Sequence, residues 1–321
     1  MDYFVNPAGW SLVALQTVIY LFGAPLVAGW VHKIKARLQN RKGASVFQPY
    51  RDLYKLFQKE AMVAETASII FRAAPYIVFG STLVAVSVVP LISAILPSAQ
   101  IADVIVLVGF LALARFFLAL AGMDVGTAFG GMGSSREMLV SALAEPATLM
   151  AIFTLTMTAH STNLSSVILF NLDTGMVLRP SYLFALLGLI MVAVAETGRI
   201  PVDNPSTHLE LTMIHEAMIL EYSGRHLAMM EWAAQLKLML YGVLISSVFI
   251  PWGIATDFSL YSLLSGFFFI VLKLAILGVL LAVSETVLAK MRLFKVPQFL
   301  NLAFLLTLLG LFSHVILESG F

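Results

Sequence analysis

The sequence contains no cysteine among its 321 residues. This absence excludes disulfide bonds, cysteine-bound zinc, thiolate nucleophiles and iron–sulfur clusters held by the chain itself. Any redox chemistry linked to the chain must therefore take place in a partner protein, and we expect no redox cofactor in this chain.

Charged residues are also scarce, at 12% of the chain, whereas hydrophobic residues make up 60% and the mean hydropathy is +0.94. Soluble domains contain about 25% charged and about 45–50% apolar residues. So few charges cannot cover the surface of a water-soluble core, so the composition predicts an all-α, polytopic integral membrane protein in contact with the lipid bilayer. The formal net charge of +1 gives no general attraction to nucleic acid.

Apolar stretches long enough to cross the bilayer predict eight transmembrane helices. A helix needs about 20 largely apolar residues to span the hydrocarbon core. No repeat or long linker divides the chain, so residues 1–321 are expected to form a single membrane domain. The first stretch has no cleavage site and is interpreted as a retained span rather than a signal peptide. We expect Pro90 to kink the second span. The eight predicted spans are 10–31, 73–97, 101–122, 137–160, 180–198, 232–254, 261–289 and 298–317.

The distribution of lysine and arginine predicts the orientation of the chain. Fifteen of these residues fall on one face, nine of them in residues 32–72, and only Arg179 falls on the opposite face. Cytoplasmic loops of membrane proteins carry the excess of basic residues. The basic face is therefore predicted to be cytoplasmic, with both termini outside. Three basic residues, Arg115, Lys237 and Lys273, fall inside predicted spans.

Four glutamates lie within or at the ends of predicted spans, where a carboxylate at the bilayer centre costs about 2.5–3.5 kcal/mol or more. They are Glu137, Glu145, Glu196 and Glu285. The cytoplasmic loop after the fifth span continues the series with Asp203, Glu210, Glu216 and Glu221. A run of carboxylates from a loop into the bilayer interior is what a proton relay requires. We therefore predict a relay that includes Glu137, Glu145, Glu196, Glu210, Glu221 and Glu285.

A purely structural interpretation stays open for part of this series. Glu137 and Glu196 lie near helix ends and could pair with Arg136 and Arg199 simply to stabilise packing. For the glutamates deeper in their helices, two basic residues inside predicted spans are natural counter-ions, Arg115 and Lys273.

Two further motifs resemble ligand sites, but each lacks a residue that such a site requires. The glycine-rich segment 122–137 lacks the Gly-Lys-Ser/Thr ending of a phosphate-binding loop, so its glycines are expected to form a tight turn at the membrane surface. His208, His215 and Glu216 lack the second histidine of the zincin pattern, since position 219 is Ile. We therefore predict no metal site in the chain.

The basic loop of residues 32–60 has two interpretations. Polybasic segments next to a membrane bind anionic lipid headgroups. The loop also alternates apolar and charged residues, which favours a helix docked under a soluble partner. We favour docking, with four residues as candidate contacts: Arg37, Arg41, Arg51 and Asp52.

Three segments together resemble the family of the membrane subunit that joins the two arms of respiratory complex I and of energy-converting [NiFe]-hydrogenases. The first is ARLQNRKGASVFQPYRDLYKLF, residues 36–57. The second is ARFFLALAGMDVGTAFGGMGSSRE, residues 114–137, followed by the EP pair at 145–146. The third is AETGRIPVDNPSTHLEL, residues 195–211, with EYSG at 221–224. The second segment and the EYSG context are more similar to the formate hydrogenlyase and related hydrogenase branch than to the quinone-reducing branch.

The resemblance implies a multi-pass subunit of the cell inner membrane that carries no redox cofactor of its own. Such a subunit joins soluble hydrogenase-like large and small subunits on the cytoplasmic face, which carry a NiFe centre and iron–sulfur clusters, to antiporter-like membrane subunits. It would couple electron transfer in those partners to proton translocation through a glutamate-lined channel. The matching channel positions are Glu145, Glu196, Glu210 and Glu221, with Glu285 matching an acidic position of the hydrogenase branch. The matching docking and loop positions include Arg37, Arg41, Asp124 and Arg136, and we add Arg199 and Asp203 to them.

The sequence also departs from the complex I pattern, which bears on the alternatives. Ser206, Thr207 and His208 stand where complex I members usually carry more acids, Val202 replaces a phenylalanine, and the stretch between Glu210 and Glu221 is longer. These changes weaken a quinone site. Two alternatives stay open: a quinone-site subunit of a complex I-like dehydrogenase, and a self-sufficient ion transporter, which would be expected to show inverted repeats.

Overall fold

The computed structural model describes residues 7–95, 97, 103–174, 179–203 and 213–318. These ranges contain eleven α-helices and no strand beyond isolated bridges. The helices are α1 (Pro7–Leu38), α2 (Gln48–Phe57), α3 (Ile69–Val88), α4 (Val104–Asp124), α5 (Ala128–Ala159), α6 (Leu164–Asp173), α7 (Pro180–Glu196), α8 (His215–Ile219), α9 (Gly224–Val248), α10 (Leu260–Val287) and α11 (Val296–Ser313).

Six of these helices are long and apolar enough to cross a membrane: α1, α3, α4, α5, α10 and α11 with its flanking turns. A helix satisfies its own backbone hydrogen bonds, which hydrocarbon cannot do. The all-α, polytopic membrane fold is therefore confirmed. The other two predicted spans correspond to α7, which has 17 residues, and α9, which has 25 residues but carries Glu231 and Lys237. The count of eight spans and the outer location of the termini stay predictions.

The predicted kink at Pro90 is wrong, because α3 ends before this proline. The helix stops at Val88, and Val89 is extended with φ −81° and ψ 121°. The proline ring clashes with a helical backbone in the residue before it, which explains the stop. The proline inside α3 is Pro75.

The glycine-rich segment is mostly helix rather than a turn. Only residues 125–127 leave the helical path, with Gly126 at φ +76°, and α5 begins at Ala128. A Cβ on Gly130 would lie 2.1 Å from the carbonyl oxygen of Gly122, so these glycines allow α4 and α5 to approach closely. The close approach sets Arg115 of α4 across from the first half of α5.

The interior is built around α5 and α9. Helix α5 packs against α4, α7 and α11, while α9 packs against α1 and α3. Most buried hydroxyls bond to the carbonyl groups of their own helices, as Thr82, Thr148 and Thr154 do with the residue four positions earlier. Such local bonds satisfy a hydroxyl without any partner helix, whereas other polar groups join helices, as Ser134 of α5 does with the carbonyl oxygen of Ala119 of α4 and Trp232 of α9 does with that of Leu21 of α1.

Candidate functional site

One arginine holds three glutamates together in the interior. The Nε atom of Arg115 lies 3.4 Å from Glu137, its Nη1 lies 3.4 Å from Glu145, and its Nη2 contacts Glu196. The Nζ atom of Lys237 lies 3.7 Å from the same oxygen of Glu196. We call these five residues, Arg115, Glu137, Glu145, Glu196 and Lys237, the interior cluster.

Four helices position the interior cluster. Arg115 lies on α4, Glu137 and Glu145 on α5, Glu196 is the last residue of α7, and Lys237 lies on α9. Glu137 and Glu145 are eight residues apart on α5, a spacing that places both on one face of the helix. The cluster is therefore a property of the packed bundle rather than of any one segment.

The cluster is closed at Glu196 and more open at Glu145. The side chains of Arg115 and Glu196 are 3% and 1% exposed, whereas that of Glu145 is 33% exposed. Ser141, one turn earlier on α5, donates a hydrogen bond of 2.5 Å to Glu145. Glu145 is therefore the member of the cluster that a neighbouring membrane subunit could reach.

The predicted local ion pairs are wrong, because neither Arg136 nor Arg199 pairs with its near neighbour in the sequence. Arg136 donates instead to the carbonyl oxygen of Met213 at 2.9 Å. Gly198 has φ +59° and ends α7, so Arg199 leaves the helical path and turns away from Glu196. Of the two proposed counter-ions, Arg115 and Lys273, it is Arg115 that pairs with the glutamates.

Glu285 belongs to a separate charged group. Lys35 of α1 lies 2.6 Å from one of its carboxylate oxygens and Arg199 lies 3.2 Å from the other. We call Glu285, Lys35 and Arg199 the Glu285 cluster. Lys273 does not pair with Glu285. Its Nζ atom instead donates a hydrogen bond of 2.5 Å to the carbonyl oxygen of Ile250, just after α9.

A small cavity joins the interior cluster to the loop after α7. Its lining includes Glu137, Glu196 and Lys237 from the cluster, together with Asp203 and His215 from the loop and α8. Its volume is about 30 Å³, and about 10–15 Å³ on this measure is enough for one water molecule. The cavity, which we call the loop cavity, therefore has room and polar partners for water.

Asp203 closes the loop cavity. Its carboxylate accepts backbone N–H groups of Ile214 and His215 at 3.1 and 3.3 Å and lies 3.1 Å from the Nζ atom of Lys290. Asp203 is buried, so it joins the end of the segment after α7 to the start of α8 rather than facing a docked partner.

The remaining predicted relay residues have different surroundings. Glu221 is exposed, and Glu210 lies outside the described residues, as does His208. Glu231 on α9 was not singled out from the sequence. It interacts electrostatically with Glu216 of α8 and Asp52 of α2, and it lies three residues before Ala234 and six before Lys237, both of which line the loop cavity. The three-residue spacing puts Glu231 on the same side of α9 as Ala234, whereas Lys237, six residues on, points to another side.

The predicted docking loop lies on the surface. Arg37, Arg41, Arg51 and Asp52 are exposed, and Asp52 accepts a 2.9 Å hydrogen bond from Gln48. Helix α2 buries Pro49 and Leu53 and packs against α1 and α9. The aromatic rings of Tyr54 and Phe57 on the same helix are exposed. Basic and aromatic groups are thus presented together on one surface.

Asp124 and Tyr222 of the EYSG motif both contact residues at the start of α3. Asp124 accepts hydrogen bonds from the backbone N–H and hydroxyl of Ser68 at 2.8 and 2.7 Å, joining the end of α4 to the start of α3. Tyr222 stacks on Phe71 with ring centroids 4.0 Å apart and donates to its carbonyl oxygen at 2.9 Å. Burial raises the pKa of the Tyr222 hydroxyl, and the Asp124 carboxylate raises it further.

The described residues contain no group of three or more histidine or acidic side chains placed to hold a metal ion. The interactions of these two residues that the structure shows are the hydrogen bond from the His215 backbone N–H to Asp203 and the charge interaction of Glu216 with Glu231.

The fold and the interior cluster define the class of this chain: a polytopic membrane protein with an ion-paired acidic network in its interior. A family model described as NADH dehydrogenase matches residues 10–316. The chain therefore belongs to that family, which is the complex I subunit 1 family, and the resemblance stated from the sequence is confirmed.

Relatives place the chain more precisely within the family. It is 34% identical to hydrogenase-4 component C of Escherichia coli over 92% of both chains. It is 31% identical to formate hydrogenlyase subunit 4 of Escherichia coli over 88% of this chain and 92% of the relative. A subunit of the NADH-quinone oxidoreductase of Paramagnetospirillum magneticum is 25% identical over 76% of this chain and 74% of the relative. The hydrogenase-type branch is thus more similar to this chain than the quinone-reducing branch is.

A solved structure shares the fold. A chain of the membrane-bound sulfane sulfur reductase, an archaeal respiratory membrane complex, aligns with a TM-score of 0.81 at 17% identity, over 95% of this chain and 99% of that chain. At this identity, the match supports the arrangement of helices alone.

Proposed function

We propose that this chain is the non-redox membrane subunit of a multisubunit [NiFe]-hydrogenase complex of the formate hydrogenlyase type, in the cell inner membrane. It anchors the soluble large and small subunits and couples their electron transfer to proton translocation. The observation that carries the proposal is the interior cluster, in a chain that is 34% and 31% identical to two hydrogenase-type subunits.

The charge balance of the interior cluster suits proton transfer. It holds three carboxylates against two cations, Arg115 and Lys237. These three carboxylates, held around one arginine, are the groups among which a proton would move in the proposed relay. Arg115 contacts all three glutamates and thereby holds their carboxylates close to one another.

The loop cavity supplies the connection toward the partners. Water held between Glu196, Lys237 and His215 would link the cluster to the loop. Glu231 of α9 interacts with Asp52 of α2, which would extend this link toward the surface of α2. A partner docked on the surface of α2 would change the charge or position of these groups when its redox state changes. Coupling of this kind is reciprocal, so the protonation of the cluster would also affect the partner.

Glu285 is the weakest relay candidate on charge grounds. One carboxylate faces two cations in the Glu285 cluster, each of its oxygens is held by one of them, and the cluster has no second carboxylate with which to exchange a proton. Its proposed role is to hold α1, α10 and the loop after α7 together.

The test is Glu196→Gln in the intact complex reconstituted in liposomes. Glutamine keeps the size of the side chain and removes the titratable proton. Hydrogen evolution with an artificial electron donor should be retained, because that reaction takes place in the partners, while proton transfer across the membrane drops. The matched control is Glu65→Gln, an exposed glutamate before α3, which should leave both activities unchanged. Unaltered proton transfer in Glu196→Gln would contradict the relay.

The second candidate is the quinone-site subunit, favoured by the 25% identity to a subunit of an NADH-quinone oxidoreductase. Metal analysis of the complex purified through a tag on this chain separates the two. Nickel with abundant iron supports the hydrogenase; flavin and iron without nickel, with inhibition by quinone analogues, supports the dehydrogenase.

A further inference from the structure

An apolar groove runs along the bundle between α1, α7, α9 and α10. Its volume is about 290 Å³, and Val194 of α7, Ile245 of α9 and Leu277 of α10 are among its lining residues. Helix α10 packs against α1 and α9 and leaves many of its apolar side chains exposed. The lining of the groove includes no member of the interior cluster, it shares Thr197 with the loop cavity, and the proposed relay does not use it.

The length of the groove fits one leaflet of a bilayer. On α10 the lining extends from Leu274 to Ser284, which is about 15 Å at the helical rise of about 1.5 Å per residue. The hydrocarbon core is about 30 Å thick. One fatty acyl chain of a single leaflet occupies about half of that thickness, so the groove matches such a chain in length and polarity.

The lining at one end of the groove consists of sequence neighbours of the Glu285 cluster. The lining residues there are Val31, one turn before Lys35; Thr197, two residues before Arg199; and Ser284, next to Glu285. This end carries two cations against one carboxylate, and both cations keep part of their surface exposed. It lies on the basic face predicted to be cytoplasmic, so an anionic headgroup would be attracted there.

Two of the three hydroxyl groups along the groove already donate hydrogen bonds to their own helices. Thr197 donates to the carbonyl oxygen of Ala193 at 2.7 Å, and Ser284 donates to that of Leu281 at 2.8 Å. Tyr241, in the lining from α9, lies beside Thr148 of α5. A quinone ring would need donors for its carbonyl oxygens, whereas an acyl chain needs none, so these bonds favour a lipid.

We propose that the groove binds one acyl chain of an anionic phospholipid from the cytoplasmic leaflet, with the phosphate beside Lys35 and Arg199. The bound lipid fills the space between α7 and α10 and adds a negative group to the net positive Glu285 cluster. It thereby completes the wall of the bundle at a place where the protein's own side chains leave it open.

The experiment measures lipid retention in the whole complex, purified in mild detergent and depleted of loosely bound lipid. Dioleoylphosphatidylglycerol or dioleoylphosphatidylcholine is added back, and bound lipids are counted by native mass spectrometry. Val194→Phe fills the groove, and Val283→Phe makes the same change at an exposed position of α10 outside it. Leu277→Phe, from the opposite wall, serves as a second filling variant if the Val194→Phe complex does not assemble.

We expect the filling variant to bind its tightest phosphatidylglycerol at least about tenfold more weakly, equivalent to about 1.4 kcal/mol. Val283→Phe should behave as the unmodified complex, and phosphatidylcholine should be retained less than phosphatidylglycerol. Equal phosphatidylglycerol binding in the filling variants overturns the site. Equal retention of the two lipids overturns the headgroup assignment, and loss of a co-purified quinone instead of phospholipid overturns the choice of ligand.

Discussion

Arg115 is the residue on which the interior cluster depends. A guanidinium group presents five donors in a planar fork, so one side chain can face several carboxylates at once. Its three nitrogen atoms each face a different glutamate, and the side chain is almost fully buried. Lys237 approaches the cluster at Glu196 and, as a single ammonium group, cannot replace this geometry.

Replacement of Arg115 by glutamine should strongly destabilise the protein, because it leaves three carboxylates in the interior with one cation. Removal of one partner of a buried ion pair typically costs about 3–5 kcal/mol. A lower Tm of the purified complex is the expected result, and Arg115→Gln with Glu196→Gln should recover part of the loss. Arg72→Gln, at an exposed position of α3, is the control. An unchanged Tm for Arg115→Gln would show that the cluster does not hold the helices together.

The end of α7 is the element that separates the two charged clusters. Glu196, its last residue, faces Arg115, while Arg199 three residues later faces Glu285. The left-handed backbone of Gly198 makes this change of direction, because the chain leaves the helix there at φ +59°. An uninterrupted helix would have kept both side chains on one face.

Substitution Gly198→Ala should therefore reduce stability by about 1 kcal/mol, the cost of a left-handed conformation for a residue with a Cβ. The cause is the backbone rather than a clash, since the nearest atom to an added Cβ is His215 Cβ at 3.9 Å. The measurement is the Tm of the complex. The control is Gly80→Ala inside α3, where an added Cβ meets nothing within 4 Å. It should raise stability by about 0.5–1 kcal/mol, because alanine suits a helix interior better. The same sign for both substitutions would contradict this account.

At the scale of the whole molecule, the orientation in the bilayer governs every proposal made above. The basic loop of residues 32–60, the loop cavity and the Glu285 cluster all lie toward the basic face that the positive-inside rule assigns to the cytoplasm. The absence of cysteine makes this orientation directly measurable, since any introduced thiol is unique in the chain.

Single-cysteine variants should label from opposite sides of the membrane. Ala289→Cys, at an exposed position between α10 and α11, should react with a membrane-impermeant maleimide only in inverted vesicles. Thr256→Cys, in the exposed loop before α10, should react in intact cells. Each variant serves as the control for the other, and labelling of both from the same side would overturn the predicted topology.

Much of the architecture could be predicted from the sequence, because hydrocarbon imposes a simple requirement of length and polarity on each spanning segment. Six predicted spans correspond to long apolar helices, although α3 ends before Pro90 and α5 begins before Glu137. These boundaries were missed because they depend on local backbone conformation: the residue before a proline in one case, and a single left-handed glycine in the other.

The sequence by itself determined that the chain crosses a membrane, that it belongs to the complex I subunit 1 family, and that unusual glutamates lie in its interior. These conclusions rest on composition and on motifs, so they do not depend on which residues are in contact. Only the tertiary structure decided which charges meet: Arg115 with three glutamates, Lys35 and Arg199 with Glu285, and Lys237 beside Glu196. Partners that lie tens to hundreds of residues apart meet through helix packing, and no local spacing records that choice.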